Sequence, residues 1–186
     1  MIIFGITGSI ASGKTTVTNL MAGKKYPIFN ADKIVSNLYK KKKFNKILIK
    51  KFKLDSKKKI KNQIKKILEK NENNLSKLEY IVHPFVRKEM TDFIKKKNKM
   101  LFLEIPLLIE SKLNKYFDKI VFVGANKDLR LKRYLKKKGD KKTFKLLNNR
   151  QLSFKQKKNI SDYTIINNYS LATLKKNVKI FIKNYE

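Results

Sequence analysis

The chain has 186 residues, no cysteine and a formal net charge of +33, enough length to bury one good core with small insertions and no thiol for a disulfide, a thiolate metal site or a cysteine nucleophile. No stretch approaches the roughly 18 uninterrupted apolar residues of a membrane span, and no basic leader precedes the apolar N-terminal run, so a cytoplasmic location without a membrane partner is expected. Only four of the 47 basic residues are arginine, Arg87, Arg130, Arg133 and Arg150; surfaces that clamp phosphates or read bases recruit its planar fork, so the Lys and Asn enrichment reads as drift in an A/T-rich genome and no specific nucleic-acid partner is expected.

In chain order, residues 2–7 predict a buried strand, and residues 14 to about 22 predict the helix after it, closed by Gly23. Between them stands Gly8-Ser9-Ile10-Ala11-Ser12-Gly13-Lys14-Thr15. It fits the phosphate-loop pattern of Gly, four free positions, Gly, Lys and then Ser or Thr, in the strand-then-helix context that pattern requires. The glycines let successive backbone N–H groups line a hollow that suits an anion, and the helix behind adds orphan N–H groups and the positive end of its dipole. Lys14 is placed to reach the β- and γ-phosphates and the Thr15 hydroxyl to ligate Mg²⁺. Residues 26–32 predict a short second strand that carries Asp32 to the edge where open α/β sheets hold ligands. Capping of a helix that begins at Lys33 is the equally open alternative for that aspartate.

From about 34 to 98 the texture turns to helix-period segments separated by Lys runs, with no Gly. Ile47, Leu48 and Phe52 suggest one amphipathic helix, and Ile60, Ile64, Ile67 and Leu68 give the apolar stripe of another. Farther on, His83 is read as the cap of a helix with Pro84 at its first position. Arg87, four residues later, shares a face with His83. The bland reading, a capping histidine and a surface arginine, stands beside a site that uses the chain's only His.

Residues 100–110 read as a buried strand with Glu104 in the position of a carboxylate that holds Mg²⁺ or its waters; buried, it needs a cation or donor nearby. Residues 118–124 give another strand. Asn126-Lys127-Asp128 imitates the guanine-reading Asn-Lys-x-Asp of GTPases, but Leu129 stands where the aspartate belongs, and that reading is rejected. Residues 127–160 form a second basic helical stretch with Arg130, Arg133, Gly139 and Arg150, either a lid over a triphosphate or a solvated helix pair. Residues 161–167 return as a last strand, and a closing amphipathic helix runs from Leu171.

With these pieces placed, the chain resembles the dephospho-CoA kinase family along nearly its whole length. The resemblance rests on the loop Ser9–Thr16, the Ala31-Asp32 pair, the His-Pro-x-Val-Arg segment at 83–87, the acidic-x-Pro-Leu-Leu-x-Glu segment at 104–110, a basic lid, and the strand from Ser161-Asp162 through Asn167. It implies an α/β phosphate-loop fold, a parallel sheet flanked by helices, with a nucleotide-binding core at 1–33, 99–126 and 161–186, a helical substrate-binding insertion at 34–98 and a helical lid at 127–160. It implies Mg²⁺-dependent transfer from ATP to the ribose 3′-hydroxyl of dephospho-CoA. ATP would be held by Ser9, Ile10, Ala11, Ser12, Gly13, Lys14, Thr15 and Thr16, the metal by Thr15 and Glu104, and the acceptor by Asp32, His83 and Arg87. Lys14, Asp32 and Arg133 would carry the chemistry. Near 137 and 147, where the family places further lid arginines, this chain has Lys137 and Leu147, which leaves Arg150 as a stand-in; the family's usual Asp is here Glu104. Another small-molecule or nucleoside-monophosphate kinase of the same fold, or a basic ATP-binding nucleic-acid module, are the alternatives. No oligomeric state is implied.

Overall fold

A computed structural model describes residues 1–71 and 73–186. It divides into two compact units, Met1–Asn30 with Lys97–Glu186, and Ala31–Lys96.

The first unit is built on a five-stranded, wholly parallel sheet with spatial order β2-β3-β1-β4-β5. Its strands are β1 (Ile2–Gly8), β2 (Ile28–Asn30), β3 (Met100–Glu104), β4 (Lys119–Gly124) and β5 (Tyr163–Ile166). Every residue of β3 is buried, as a parallel strand covered on both faces requires. Helix α1 (Lys14–Ala22) and a C-terminal helix (Leu171–Lys183) share one apolar core with the sheet. There Phe4 stacks on Phe102, with ring centroids 5.1 Å apart, among Val17, Met21, Val178 and Phe181. Three shorter helices, Lys127–Lys136, Lys141–Asn149 and Phe154–Ile160, divide the basic stretch that the sequence leaves as one block.

In the second unit α2 (Ala31–Leu38), α3 (Lys42–Phe52), α4 (Ile60–Lys70) and α5 (Asn73–Ile94) enclose a separate core of Phe44, Leu48, Ile64, Leu78 and Val82. The remaining helices are accordingly α6, α7 and α8 in the basic stretch and α9 at the C-terminus. No helix among the described residues is long and apolar enough to cross a membrane.

Three readings are corrected here. Pro84 does not open a helix, and His83 is not its cap: both lie inside the 22-residue α5. An internal proline costs about 3 kcal/mol through the lost i−4 bond and a ring clash. One face of α5 buries Leu78 and Val82 before the proline and Met90 and Phe93 after it, and this continuous packing outweighs the local penalty. The strand read over 100–110 stops at Glu104, because Pro106 offers no N–H to continue a ladder; residues 106–112 are turns. Asp32 is not a cap either. α2 starts at Ala31, and Asp32 lies in its first turn.

Candidate active site

The phosphate loop spans the end of β1 and the first residues of α1. Ala11 and Gly13 take positive φ values of 57° and 95°, so left-handed residues alternate with right-handed ones, the arrangement that turns backbone N–H groups into an anion-binding nest. At Ala11 a side chain tolerates a conformation L-residues avoid, a strain of the kind that collects at functional sites. A Cβ at Gly8 would collide with the Val123 carbonyl of β4, and one at Gly13 with the Asn167 amide. Lys14, buried, folds back over the loop and donates to the carbonyls of Ser9 at 3.1 Å and Gly8 at 3.3 Å.

Glu104 ends β3 beside this loop, buried to 3 % exposure. Its carboxylate accepts from the Thr15 hydroxyl at 2.8 Å and from the Asn30 amide at 2.6 Å. Strand pairing dictates the contact with Asn30, because β2 and β3 run in a register that sets Asn30 opposite Glu104. A hydroxyl and a carboxylate in contact are hard oxygen donors of the kind Mg²⁺ takes while it keeps waters and substrate phosphates as its other ligands. The donor set therefore fits that ion. Among the described residues no cluster of three or more His, Cys, Asp or Glu could hold a metal without a substrate.

The basic stretch sends two groups to the loop, Arg130 and Gln151, and a third, Arg133, to Asn167 beside it. Arg133 Nη2 donates to the Asn167 carbonyl at 3.0 Å, and the Asn167 amide, at the end of β5, donates to Ser12 O at 2.8 Å. Arg130 is buried; its Nε donates to Ala125 O at 3.1 Å, and its Nη1 to Ile10 O at 3.3 Å and Asn148 Oδ1 at 2.9 Å. Burial pulls its pKa below the ordinary guanidinium value, yet a guanidinium remains charged in proteins. Gln151 accepts from the Ile10 N–H at 2.9 Å, so that N–H faces away from the loop's hollow. Arg150 closes α7 as its C-cap. A cavity of about 280 Å³ opens next to the loop, lined among others by Ala11, Gly13, Arg133, Lys137, Tyr169 and Leu171.

The structure thus brings the residues 9–16, Glu104 and Arg133 together within the first unit. Asp32, His83 and Arg87 belong to the second. Asp32 is exposed, two residues past the tip of β2 along the chain. His83 is half-buried in α5, between Glu79 one turn before it and Arg87 one turn after it. Burial lowers its pKa below 6.5; Glu79 opposes that shift and Arg87 adds to it. Asn30 and Gln151 escaped the sequence reading. Asn30 carried a faint signal, a polar residue at a strand tip two places before Asp32; Gln151 carried none.

A five-stranded parallel sheet with this loop at the β1–α1 junction, and an acidic side chain ending the neighbouring strand, defines a phosphate-loop kinase. The dephospho-CoA kinase family model matches residues 2–173. A dephospho-CoA kinase of Fusobacterium nucleatum is 34% identical over 194 residues that cover 97% of each chain. The crystal structure of TT1252 from Thermus thermophilus superposes with a TM-score of 0.82 at 25% identity and covers 100% of this chain and 98% of its own. That of a dephospho-CoA kinase from Campylobacter jejuni superposes at 0.67 and 24% identity, covering 99% and 97%. The chain belongs to the dephospho-CoA kinase family, whose ATP-dependent phosphorylation of dephospho-CoA serves CoA biosynthesis.

Proposed function

We propose that the chain transfers the γ-phosphoryl group of ATP to the ribose 3′-hydroxyl of dephospho-CoA, giving CoA and ADP, with the residues 9–16 holding the triphosphate. The observation that carries this reading is the Thr15–Glu104–Asn30 contact, which sets two oxygen donors for a cation beside a phosphate hollow. Asp32 follows in the chain two residues after Asn30.

Phosphoryl transfer asks the protein mainly for position and charge, since the transition state spreads its charge over oxygens of a nearly free phosphoryl group. Lys14 neutralises charge on the β- and γ-phosphates. Arg133 does the same at the transferring group from the lid side, residues 127–160. Thr15 and Glu104 hold Mg²⁺ or its waters, and when bound that ion offsets the charge that grows on the phosphate oxygens. Asp32 orients the attacking hydroxyl and takes its proton late in the reaction, so the O–P bond forms while the bond to ADP breaks and the proton leaves on the carboxylate. His83 and Arg87 contact the acceptor in the helical insertion, residues 34–98. The reaction takes place in the cytoplasm.

A coupled assay of ADP release tests the reading. With active protein, ATP and Mg²⁺, dephospho-CoA stimulates turnover strongly, whereas nucleoside monophosphates and shikimate do not. Turnover that ignores dephospho-CoA, or that one of these other acceptors stimulates more, removes the assignment.

A further inference from the structure

Three peptide planes of the phosphate loop are gripped from outside by side chains distant in sequence. The carbonyl of Ile10 accepts from Arg130 Nη1, the N–H of Ile10 donates to Gln151 Oε1, and the carbonyl of Ser12 accepts from Asn167 Nδ2. A trans peptide is planar and holds its C=O and N–H on opposite sides. A carbonyl drawn outward therefore turns the N–H of the next residue inward, and a captured N–H turns the preceding carbonyl inward. The Ser9–Ile10 peptide shows the second case: its N–H goes to Gln151, and its carbonyl meets the Lys14 ammonium at 3.1 Å. The first case applies twice. The carbonyl that Arg130 holds belongs to the Ile10–Ala11 peptide, and the one that Asn167 holds belongs to the Ser12–Gly13 peptide.

We propose that Arg130 and Asn167 are positioning residues that preset the N–H groups of Ala11 and Gly13 toward the phosphates of the nucleotide, each by capturing the carbonyl of the same peptide plane from behind. The positive φ at Ala11 and Gly13 is the backbone cost of that presentation, and the two outer hydrogen bonds keep it in place before any ligand arrives. The braces are built into the fold. Asn167 is buried at the end of β5 and bears on Gly13 so closely that any side chain there would strike it. Arg130 is buried in α6, fixed by Ala125 O and Asn148 Oδ1 and stacked 5.7 Å from the Phe144 ring. Asn167 also receives Arg133 on its carbonyl, so the residue that aims a loop N–H also sets the place of a lid arginine. Preorganised donors of this kind act on charge without reorganising when the ligand binds.

The proposal rests on the loop being the triphosphate site, and the test separates the two. Binding of ATP, inorganic tripolyphosphate and adenosine is measured by calorimetry for the wild type, Asn167→Ala and Arg130→Met, with folding checked by circular dichroism. The wild type binds ATP and tripolyphosphate; failure there overturns the loop assignment itself. Each variant binds ATP and tripolyphosphate about tenfold more weakly, the scale of one misaimed donor, and adenosine as before. Arg130→Lys, which keeps a donor, recovers part of the loss. Phosphate affinities equal to wild type in the folded variants overturn the bracing, as does a fall in adenosine affinity in step with ATP. The two variants remove different braces, so loss of either to misfolding leaves the other decisive.

Discussion

The ammonium of Lys157 lies 2.8 Å from Glu110 Oε1, with the lysine side chain wholly buried and the glutamate 14% exposed. Glu110 Oε1 also accepts the Leu152 N–H at 2.9 Å, so this pair ties the turn after β3 to the start of α8. Burial holds the Lys157 pKa below 10.5 against the pull of Glu110. Removing one member of such a pair leaves an uncompensated buried charge, worth about 3–5 kcal/mol, whereas replacing both by groups of similar volume is often neutral. Lys157→Met is therefore expected to lose stability on that scale in urea unfolding, and Lys157→Met with Glu110→Gln to recover most of it. A double variant as unstable as the single one would show that the lysine acts through packing alone.

How far the sequence foretold these contacts depends on whether a local pattern encodes them. The loop at the β1–α1 junction and Glu104 at the end of β3 are legible, because a motif of eight residues and an apolar run closed by a carboxylate are features of contiguous chain. Asn30, Gln151 and the bond from Arg130 to Ile10 are not. Gln151 reaches Ile10 across 141 positions and Arg130 across 120, and nothing near either residue distinguishes it from a solvated side chain. Pro84 shows the opposite failure, a strong local rule overridden by the apolar face of α5 on both sides of it.

Gly13 is constrained twice over. Its φ of 95° disfavours any L side chain, and the Asn167 amide occupies the space a Cβ would need. Gly13→Ala is expected to fold, because the loop lies at the surface of the core rather than within it, but to bind ATP at least tenfold more weakly. Equilibrium binding of a fluorescent ATP analogue measures this. Wild-type affinity in that variant would mean that the loop relaxes without loss of its phosphate contacts.

Glu104→Gln retains an oxygen that can accept from Thr15 and removes the charge. Structural loss should be small, since Thr15 still donates to the remaining oxygen and the Asn30 amide can turn so that its Oδ1 accepts from the new NH2 group. The expected effect is on the metal: the Mg²⁺ concentration for half-maximal turnover rises by about ten- to a hundredfold, the usual range when a group that supports a metal is altered. An unchanged Mg²⁺ dependence, with activity merely scaled down, would remove Glu104 from the metal site.

His83 makes the stability of the helical unit depend on pH. Its folded pKa lies below 6.5, chiefly through burial, so as pH falls the unfolded chain takes up its proton first. Between the folded value and 6.5 the unfolded state binds more protons, and stability therefore rises with pH across that window and falls as the solution is acidified through it. Melting temperatures measured from about pH 5 to pH 7.5, the range around an ordinary histidine, are expected to show this slope. His83→Gln should flatten it without a comparable change at the alkaline end. A variant whose slope matches wild type would assign the pH dependence to other groups.

Two roles compete for Asp32, a structural one in α2 and the proposed one in transfer, and one substitution separates them. As an acidic residue in the first turn of α2 it gains from the helix dipole, a modest effect at an exposed position that salt screens. As the carboxylate proposed to aim the incoming hydroxyl, it would be needed only in the transfer step. Asp32→Asn keeps the shape and a hydrogen-bond acceptor, so a role confined to the helix predicts a slightly lower melting temperature and nearly normal turnover. The role proposed here predicts a kcat lower by about 10²-fold or more, the scale of a lost general base, with the KM for ATP within a factor of two to three. Transfer asks for position as well as basicity, so Asp32→Glu, which restores charge but shifts the oxygens by a methylene, should recover only part of the rate. Near-normal kcat in Asp32→Asn would leave the aspartate with the helix alone and require another residue to orient the acceptor.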